Sequence, residues 1–360
     1  LKNRYTVLTA ALLSLTASVA FAQAPAAVPS APVPQTPATQ PPANAAPATP
    51  VATARPADPF PPANPKYFTA TTPTVETVNS FLHQVWGFDS NRLYRVMAIQ
   101  NTAAPGVAKV TIYVTTKAAD AKVQAASFYV TPDGKHAIGE GSGVVPFGAT
   151  PFAPTRDLLR AHADGASRGA PSKDFELVEF ADLQCPHCKD AQTIMDQIVR
   201  DFPNAHVVFQ LLPLVEIHPS AFKAAAYGIC AQKQSNEAFF KYADGVFDTQ
   251  QNLTPATEDA ILQAAATSAG LDPAAIATCA ASAATKEVVN ADIKLAEDAG
   301  IDQTPTLAVN GRLIPLTSIS YDNLKQLIQF QATLDGVNSG ATAETLAPKP
   351  PQPTLQTLPK

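Results

Sequence analysis

The sequence predicts an α/β domain over 174–335, with a helical insertion over 219–300, preceded by a smaller α+β domain over 66–163. Three observations carry this reading. Strand-like and helix-like patterns alternate over 174–335, as a β-α-β unit and a later β-hairpin with a helix require. An Ala-rich helical stretch interrupts that alternation between Ser220 and Ala299. The prolines crowd outside both units, 14 of 34 in 23–65 and 5 in the last 21 residues. The 360 residues are 46% apolar and 15% charged with a net charge of −5. That balance argues against a general nucleic-acid binder, which needs a basic face, so no nucleic-acid partner is expected.

Lys2 and Arg4 precede an uncharged apolar stretch, and Ala20-Phe21-Ala22 supplies small residues two apart. This is the layout of a signal peptide over 1–22, with cleavage expected before Gln23. An uncleaved membrane anchor is the alternative, although an apolar core of about 13 residues is short for a span. Either reading sends the chain to a periplasmic or other extracytoplasmic compartment, where disulfides persist. Residues 23–65 are Pro, Ala, Thr and Gln with almost no charge, a composition that predicts a disordered, semi-rigid linker. The tail 336–360 reads the same way.

Within 66–163, Thr72-Pro73 is expected to cap a helix carrying Val75, Val78, Phe81, Leu82, Val85 and Trp86 at helical spacing, ended by Gly87. Strands are expected over 93–100, 107–115 and 123–131. Pro132-Asp133-Gly134 turns the last of these back onto 135–139. A short helix is expected over 154–163, and the apolar stripe reads as core. The polar stretch 164–173 then reads as the link between domains. Beyond it, strands are expected over 175–181 and 206–212 with a helix over 186–201 between them. The insertion should break at Pro255 and at Asp272-Pro273. Strands over 306–309 and 313–315 flank the turn Asn310-Gly311, and a helix runs to about Thr333.

The chemistry lies in Cys185-Pro186-His187-Cys188, which follows a strand and opens a helix. Cys185 at a helix N-terminus meets unpaired N–H groups and the positive end of the dipole, both of which favour a thiolate. The thiolate is the attacking species in disulfide exchange. His187 and Lys189 add donors or positive charge nearby, and Pro186 fills a first-turn position that needs no N–H. Cys188, one turn inward, can close a disulfide. A structural zinc site would need a second closely spaced pair, which is missing, and no metal or other cofactor is called for. The usual c-type haem motif is excluded because Lys189, not His, follows the second Cys. A purely structural disulfide remains as an alternative. Glu179, in a strand six residues before Cys185, is costly to bury unless paired or protonated, and reads as a proton acceptor for Cys188 or as a solvent-facing strand residue. Asp182 reads as a turn or cap residue.

Residues 174–335 resemble the DsbA-like thiol–disulfide oxidoreductases of the thioredoxin superfamily. The matching residues are Val178-Glu179-Phe180, the Cys185–Cys188 motif, and Gln303-Thr304-Pro305-Thr306 before Leu307-Ala308-Val309-Asn310-Gly311. The resemblance implies a thioredoxin-like domain in which Pro305 follows a cis bond and faces the sulfurs, and Thr304 touches the thiolate and the client backbone. It places His218-Pro219 at the start of the helical subdomain, where His218 reads as a hydrogen-bonded turn residue rather than a catalytic one. The Pro-His dipeptide is typical of oxidising members, whereas Thr before the proline is shared with isomerases. The implied clients are unfolded or reduced secreted proteins, with a membrane redox partner. Residues 128–136 are similar to part of the dimerisation module of periplasmic disulfide isomerases, which would let 66–163 join two copies in a homodimer. An oxidase, an isomerase or reductase, and a tethered binding or chaperone module are the three functions carried forward.

Cys230 and Cys279 both fall in the insertion, 49 positions apart. In an oxidising compartment they read as a structural disulfide, with two buried free thiols as the alternative.

Overall fold

The computed structural model describes residues 58–118, 120–139 and 143–342. The expected signal peptide 1–22, most of the linker 23–65 and most of the tail 336–360 lie outside the described residues.

Helix α1 (Val75–Trp86) opens at Thr74, whose hydroxyl accepts from the Thr77 N–H at 3.2 Å. Thr72-Pro73, expected as the cap pair, instead precedes the helix with its peptide bond cis. The cap falls to Thr74 because its hydroxyl is the one that meets a free first-turn N–H. Strands β1 (Arg92–Asn101), β2 (Ala108–Thr116), β3 (Gln124–Val130), β4 (His136–Gly139) and β5 (Gly143–Pro146) form an antiparallel meander in chain order. The sequence did not suggest β5, whose four residues are too few for a period-two signal. Val78, Phe81 and Leu82 of α1 pack on Val96, Val110, Ile112 and Val130 across one face of this sheet.

The end of the expected linker belongs to this unit. Phe60 is buried, and the Arg95 guanidinium lies 5.4 Å from its ring centroid while also pairing with Asp58. Phe60 is the one aromatic in 23–65, and its burial holds the chain there.

Helix α2 (Ala153–His162) leads into β6 (Ala166–Gly169), β7 (Glu176–Ala181), α3 (Pro186–Asp201) and β8 (His206–Leu211). Five helices follow: α4 (Ala221–Gln232), α5 (Asn236–Thr249), α6 (Glu258–Ser268), α7 (Pro273–Ala281) and α8 (Ala283–Asp298). The hairpin β9 (Thr306–Val309) and β10 (Arg312–Pro315) and helix α9 (Tyr321–Leu334) close the fold. The second sheet runs β10-β9-β7-β8-β6, with β7 and β8 parallel and the other neighbours antiparallel. This is a thioredoxin-like mixed sheet with α4–α8 inserted, preceded by the five-stranded meander.

The stretch 164–173, expected as a link, therefore supplies an edge strand. Gly165 lets it approach, since a Cβ there would stand 2.1 Å from the Phe209 carbonyl oxygen. The insertion also breaks at two places the sequence reading missed, between α4 and α5, where Ser235 caps α5, and at Ser282, which caps α8. The turn Asn310-Gly311 has φ of 46° and 93°, the left-handed pair a two-residue hairpin requires.

Side-chain alternation along β7 sets which residues meet which helix. Leu177 packs with Ala191, Met195 and Ile198 of α3 and with Leu324, Leu327 and Ile328 of α9. Val178 and Phe180 pack on the other face with Leu159 of α2 and with Leu295 and Ala296 of α8. By the same alternation Glu179 shares the α3 face with Leu177. The first described residues of the expected tail also pack: Val337 and Ala341 join the α3/α9 core, and the Asn204 N–H donates to the Ser339 carbonyl at 3.3 Å. The meander is tied to the second sheet where the buried Arg312 of β10 donates to the Val85 carbonyl at 3.2 Å, at the end of α1.

Candidate active site

Strand β7 ends at Ala181, and Asp182-Leu183-Gln184 carries the chain to Cys185, the N-cap of α3. Register brings the second half of the site to the same place. Antiparallel pairing sets Phe180 opposite Thr306, so Thr304-Pro305 lies beside the end of β7 from which Cys185 emerges. The Thr304–Pro305 bond is cis, as the resemblance implied, and Cys185 Sγ lies 3.9 Å from the Thr304 carbonyl oxygen. The Thr304 hydroxyl is buried, and its side chain lowers the pKa of both thiols.

Both thiols are free, and both are buried. Their environments drive them apart. The Cys188 S–H donates to the Cys185 sulfur, and the backbone N–H of Cys188, the Thr304 side chain and the backbone N–H of His187 add to it. Together they outweigh burial and hold Cys185 down at about 5, against an ordinary value of 9.0. Burial and its role as donor push Cys188 well above the ordinary thiol range. One sulfur is therefore a thiolate at neutral pH and the other a thiol. His187 acts here through its backbone, since its ring and Pro186 are exposed. Lys189 is exposed and stands 3.9 Å from Asp248, in an ion pair that leaves little field for the sulfur.

Glu179 is buried beneath α3. Burial pushes its carboxyl up to about 7, against the smaller downward pull of Arg168 and of a hydrogen bond from Gln192. Of the two readings offered by the sequence, the solvent-facing one fails. Asp182 is more than a turn residue. Its Oδ1 does accept from the Gln184 N–H at 2.7 Å, but its Oδ2 accepts from the Leu214 N–H at 2.8 Å and bonds His218 Nδ1 at 2.7 Å. Its own N–H donates to Cys188 Sγ at 3.4 Å. His218 is thus a bonded turn residue, fixed on the strand side of the dithiol.

Two glutamines escaped the sequence reading. Gln184 Nε2 donates to the Leu253 carbonyl at 2.8 Å, and its Oε1 accepts from the Ser220 N–H. Gln250 Nε2 reaches back to the carbonyls of Leu183 and Cys185 at 3.2 and 3.3 Å. The insertion thereby clamps the loop that presents Cys185. Cys230 of α4 and Cys279 of α7 form the disulfide, with Cα atoms 6.1 Å apart.

The family model described as Thioredoxin matches residues 162–330. That segment has a thioredoxin-like fold. Curated relatives include the Na(+)/H(+) antiporter NhaA 3 of Salinispora tropica, 29% identical over 175 residues, which are 49% of this chain and 24% of the antiporter. The Na(+)/H(+) antiporter NhaA 1 of Mycolicibacterium vanbaalenii is 31% identical over 162 residues, 45% of this chain and 24% of that protein. The chain spans about a quarter of the length of these relatives, whose names describe whole proteins. Among the described residues, no helix is long and apolar enough to cross a membrane. Solved structures similar to the thioredoxin-like domain include a periplasmic thioredoxin-like protein from Salmonella enterica serovar Typhimurium. It is 22% identical, covers 50% of this chain and 97% of that one, and has a TM-score of 0.42. BdbD from Bacillus subtilis in its oxidised form is 22% identical, covers 47% and 93%, and has a TM-score of 0.43.

The buried carboxyl gives the thioredoxin-like domain a pH-dependent stability. Glu179 moves from 4.5 to about 7 on folding, so the folded state holds its proton more tightly. Stability is then lost as pH rises from the lower value through the upper one, by about 3 kcal/mol. Glu179→Gln should be close to neutral at pH 4 and stabilising by up to about 3 kcal/mol at pH 8. Urea unfolding at both pH values measures this, and an equal difference at the two would refute it.

Proposed function

We propose that the chain is an exported thiol–disulfide oxidoreductase that acts as an oxidase on reduced secreted proteins. The observation that carries the direction is the contrast between the two sulfurs, with Cys185 held at about 5 and Cys188 pushed up. A stabilised thiolate favours the dithiol form, so the Cys185–Cys188 disulfide gives up its oxidising equivalents readily. A client thiolate attacks the Cys185 sulfur, the disulfide breaks, and Cys188 leaves as a thiolate that takes up a proton. A second client thiolate then attacks the client sulfur of the mixed disulfide, and Cys185 leaves as a thiolate. The client has lost two electrons and the protein holds them as a dithiol. A membrane-held redox partner would reoxidise it.

Thr304 and Pro305 are suited to seat the client chain beside Cys185. The buried Thr304 side chain already acts on both sulfurs, so a client bonded to Cys185 would pass beside it. The meander of 66–163 would join two copies if its similarity to an isomerase module extends to assembly. Equilibration of the dithiol with glutathione tests the direction. A potential between about −180 and −120 mV is expected for an oxidase. A value below about −230 mV, with reshuffling of scrambled ribonuclease outpacing oxidation of the reduced enzyme, would turn the reading to the isomerase or reductase.

A further inference from the structure

The oxidoreductase reading assigns no work to Gln192, behind Cys188. Gln192 stands four residues after Cys188, one helical turn along the same face of α3. Its Nε2 donates to Glu179 Oε1 at 2.8 Å and to the Cys188 carbonyl at 3.2 Å. One amide nitrogen therefore joins the carboxyl on β7 to the backbone of the inner cysteine on α3. Gln192 engages Oε1 of that carboxyl, so the proton the group takes or gives is carried by Oε2.

We propose that Gln192 is a positioning residue for proton exchange at Cys188, holding Glu179 under α3 in the register that serves the inner sulfur. This rests on the proposed oxidoreductase function. When Cys188 leaves as a thiolate it needs a proton, and a protonated Glu179 supplies it. In the reverse step the Cys188 thiol passes its proton to the Glu179 carboxylate and attacks the Cys185 sulfur, releasing the client thiolate.

The surroundings leave few other groups to set Glu179. Its cross-strand neighbours are Phe209 on β8 and Leu307 on β9, both apolar and buried. The charged groups that act on it are Arg168 of β6 and Asp196 of α3, opposed in sign. These two form an ion pair at 2.6 Å, which limits the field either one exerts alone. Gln192 is the direct donor, and it stabilises the charged form of the carboxyl.

Gln192→Leu keeps the approximate size of the side chain and removes the donor. Loss of a hydrogen bond to a buried charge should raise the Glu179 midpoint by about one unit, tenfold in proton affinity. Carboxyl-13C NMR of the full chain reads that midpoint directly. Stopped-flow closure of a Cys185 mixed disulfide at pH 7 should slow roughly fivefold, with its pH–rate profile displaced upward by the same unit. Glu179→Gln should remove that limb of the profile, and adding Gln192→Leu to it should change nothing further. A Glu179 midpoint and a pH profile unmoved in Gln192→Leu would overturn the assignment, whatever happened to the melting temperature. Wild-type protein that exchanges no disulfide at any pH would instead refute the oxidoreductase reading itself.

Discussion

Replacing Cys188 by alanine should raise the Cys185 pKa clearly above about 5, because the S–H donor is the largest cause of its depression. The helix end and the backbone N–H groups remain, so the value should stop short of an unperturbed thiol. Thiolate absorbance at 240 nm, or the pH dependence of alkylation at Cys185, reads the shift. In the wild-type protein alkylation should be fast down to about pH 5 and confined to Cys185, while Cys188 stays inert behind it. Cys188→Ala should also trap the mixed disulfide with a client, since the sulfur that resolves it is gone. Cys185→Ala should lower exchange by at least ~10³-fold, the scale on which removal of a covalent nucleophile acts. A wild-type midpoint above about 8 would remove the physical basis for an oxidising disulfide.

The parts of this site legible in the sequence are those fixed by local rules. A pair of cysteines at a strand-to-helix junction needs no knowledge of the distant fold, and neither does Asn-Gly between two short strands. Strand β9 was read to the residue because Pro305 and Asn310 punctuate both of its ends. Legibility failed where partners are far apart in the chain. Gln184 meets Leu253 and Gln250 meets Leu183 across 69 and 67 positions, contacts that no spacing rule anticipates. Asp182 looked like a turn residue, and one of its oxygens does that work. Its second oxygen is committed to Leu214 and His218 only because β8 delivers that loop beside β7. Gln192 was within reach, since a position four beyond Cys188 on a helix faces the same way. The boundaries erred outward, with Phe60 and Val337 assigned to unstructured segments by the prolines and polar residues around them. Each is a single apolar anchor, which composition averages away.

Removing the Cys230–Cys279 disulfide should cost about 4 kcal/mol, the chain-entropy figure for a loop of this length. The bond joins α4 to α7 inside the core that also contains Cys185 and Cys188. The loss should therefore reach the redox site by a definite route. Helix α4 begins just after Ser220, whose N–H binds Gln184, while α5 runs into the turn holding Gln250. A double Cys230→Ser/Cys279→Ser variant should unfold at markedly lower urea. It should also show faster amide exchange at Leu183 to Cys185 before global unfolding, since the clamps on that loop hang from the weakened helices. The Cys185 thiolate itself should titrate as before in the folded fraction, because its donors all lie on α3 and the Thr304 loop. Global destabilisation with no change at residues 183–185 would mean that the insertion staples itself together but does not hold the nucleophile in place.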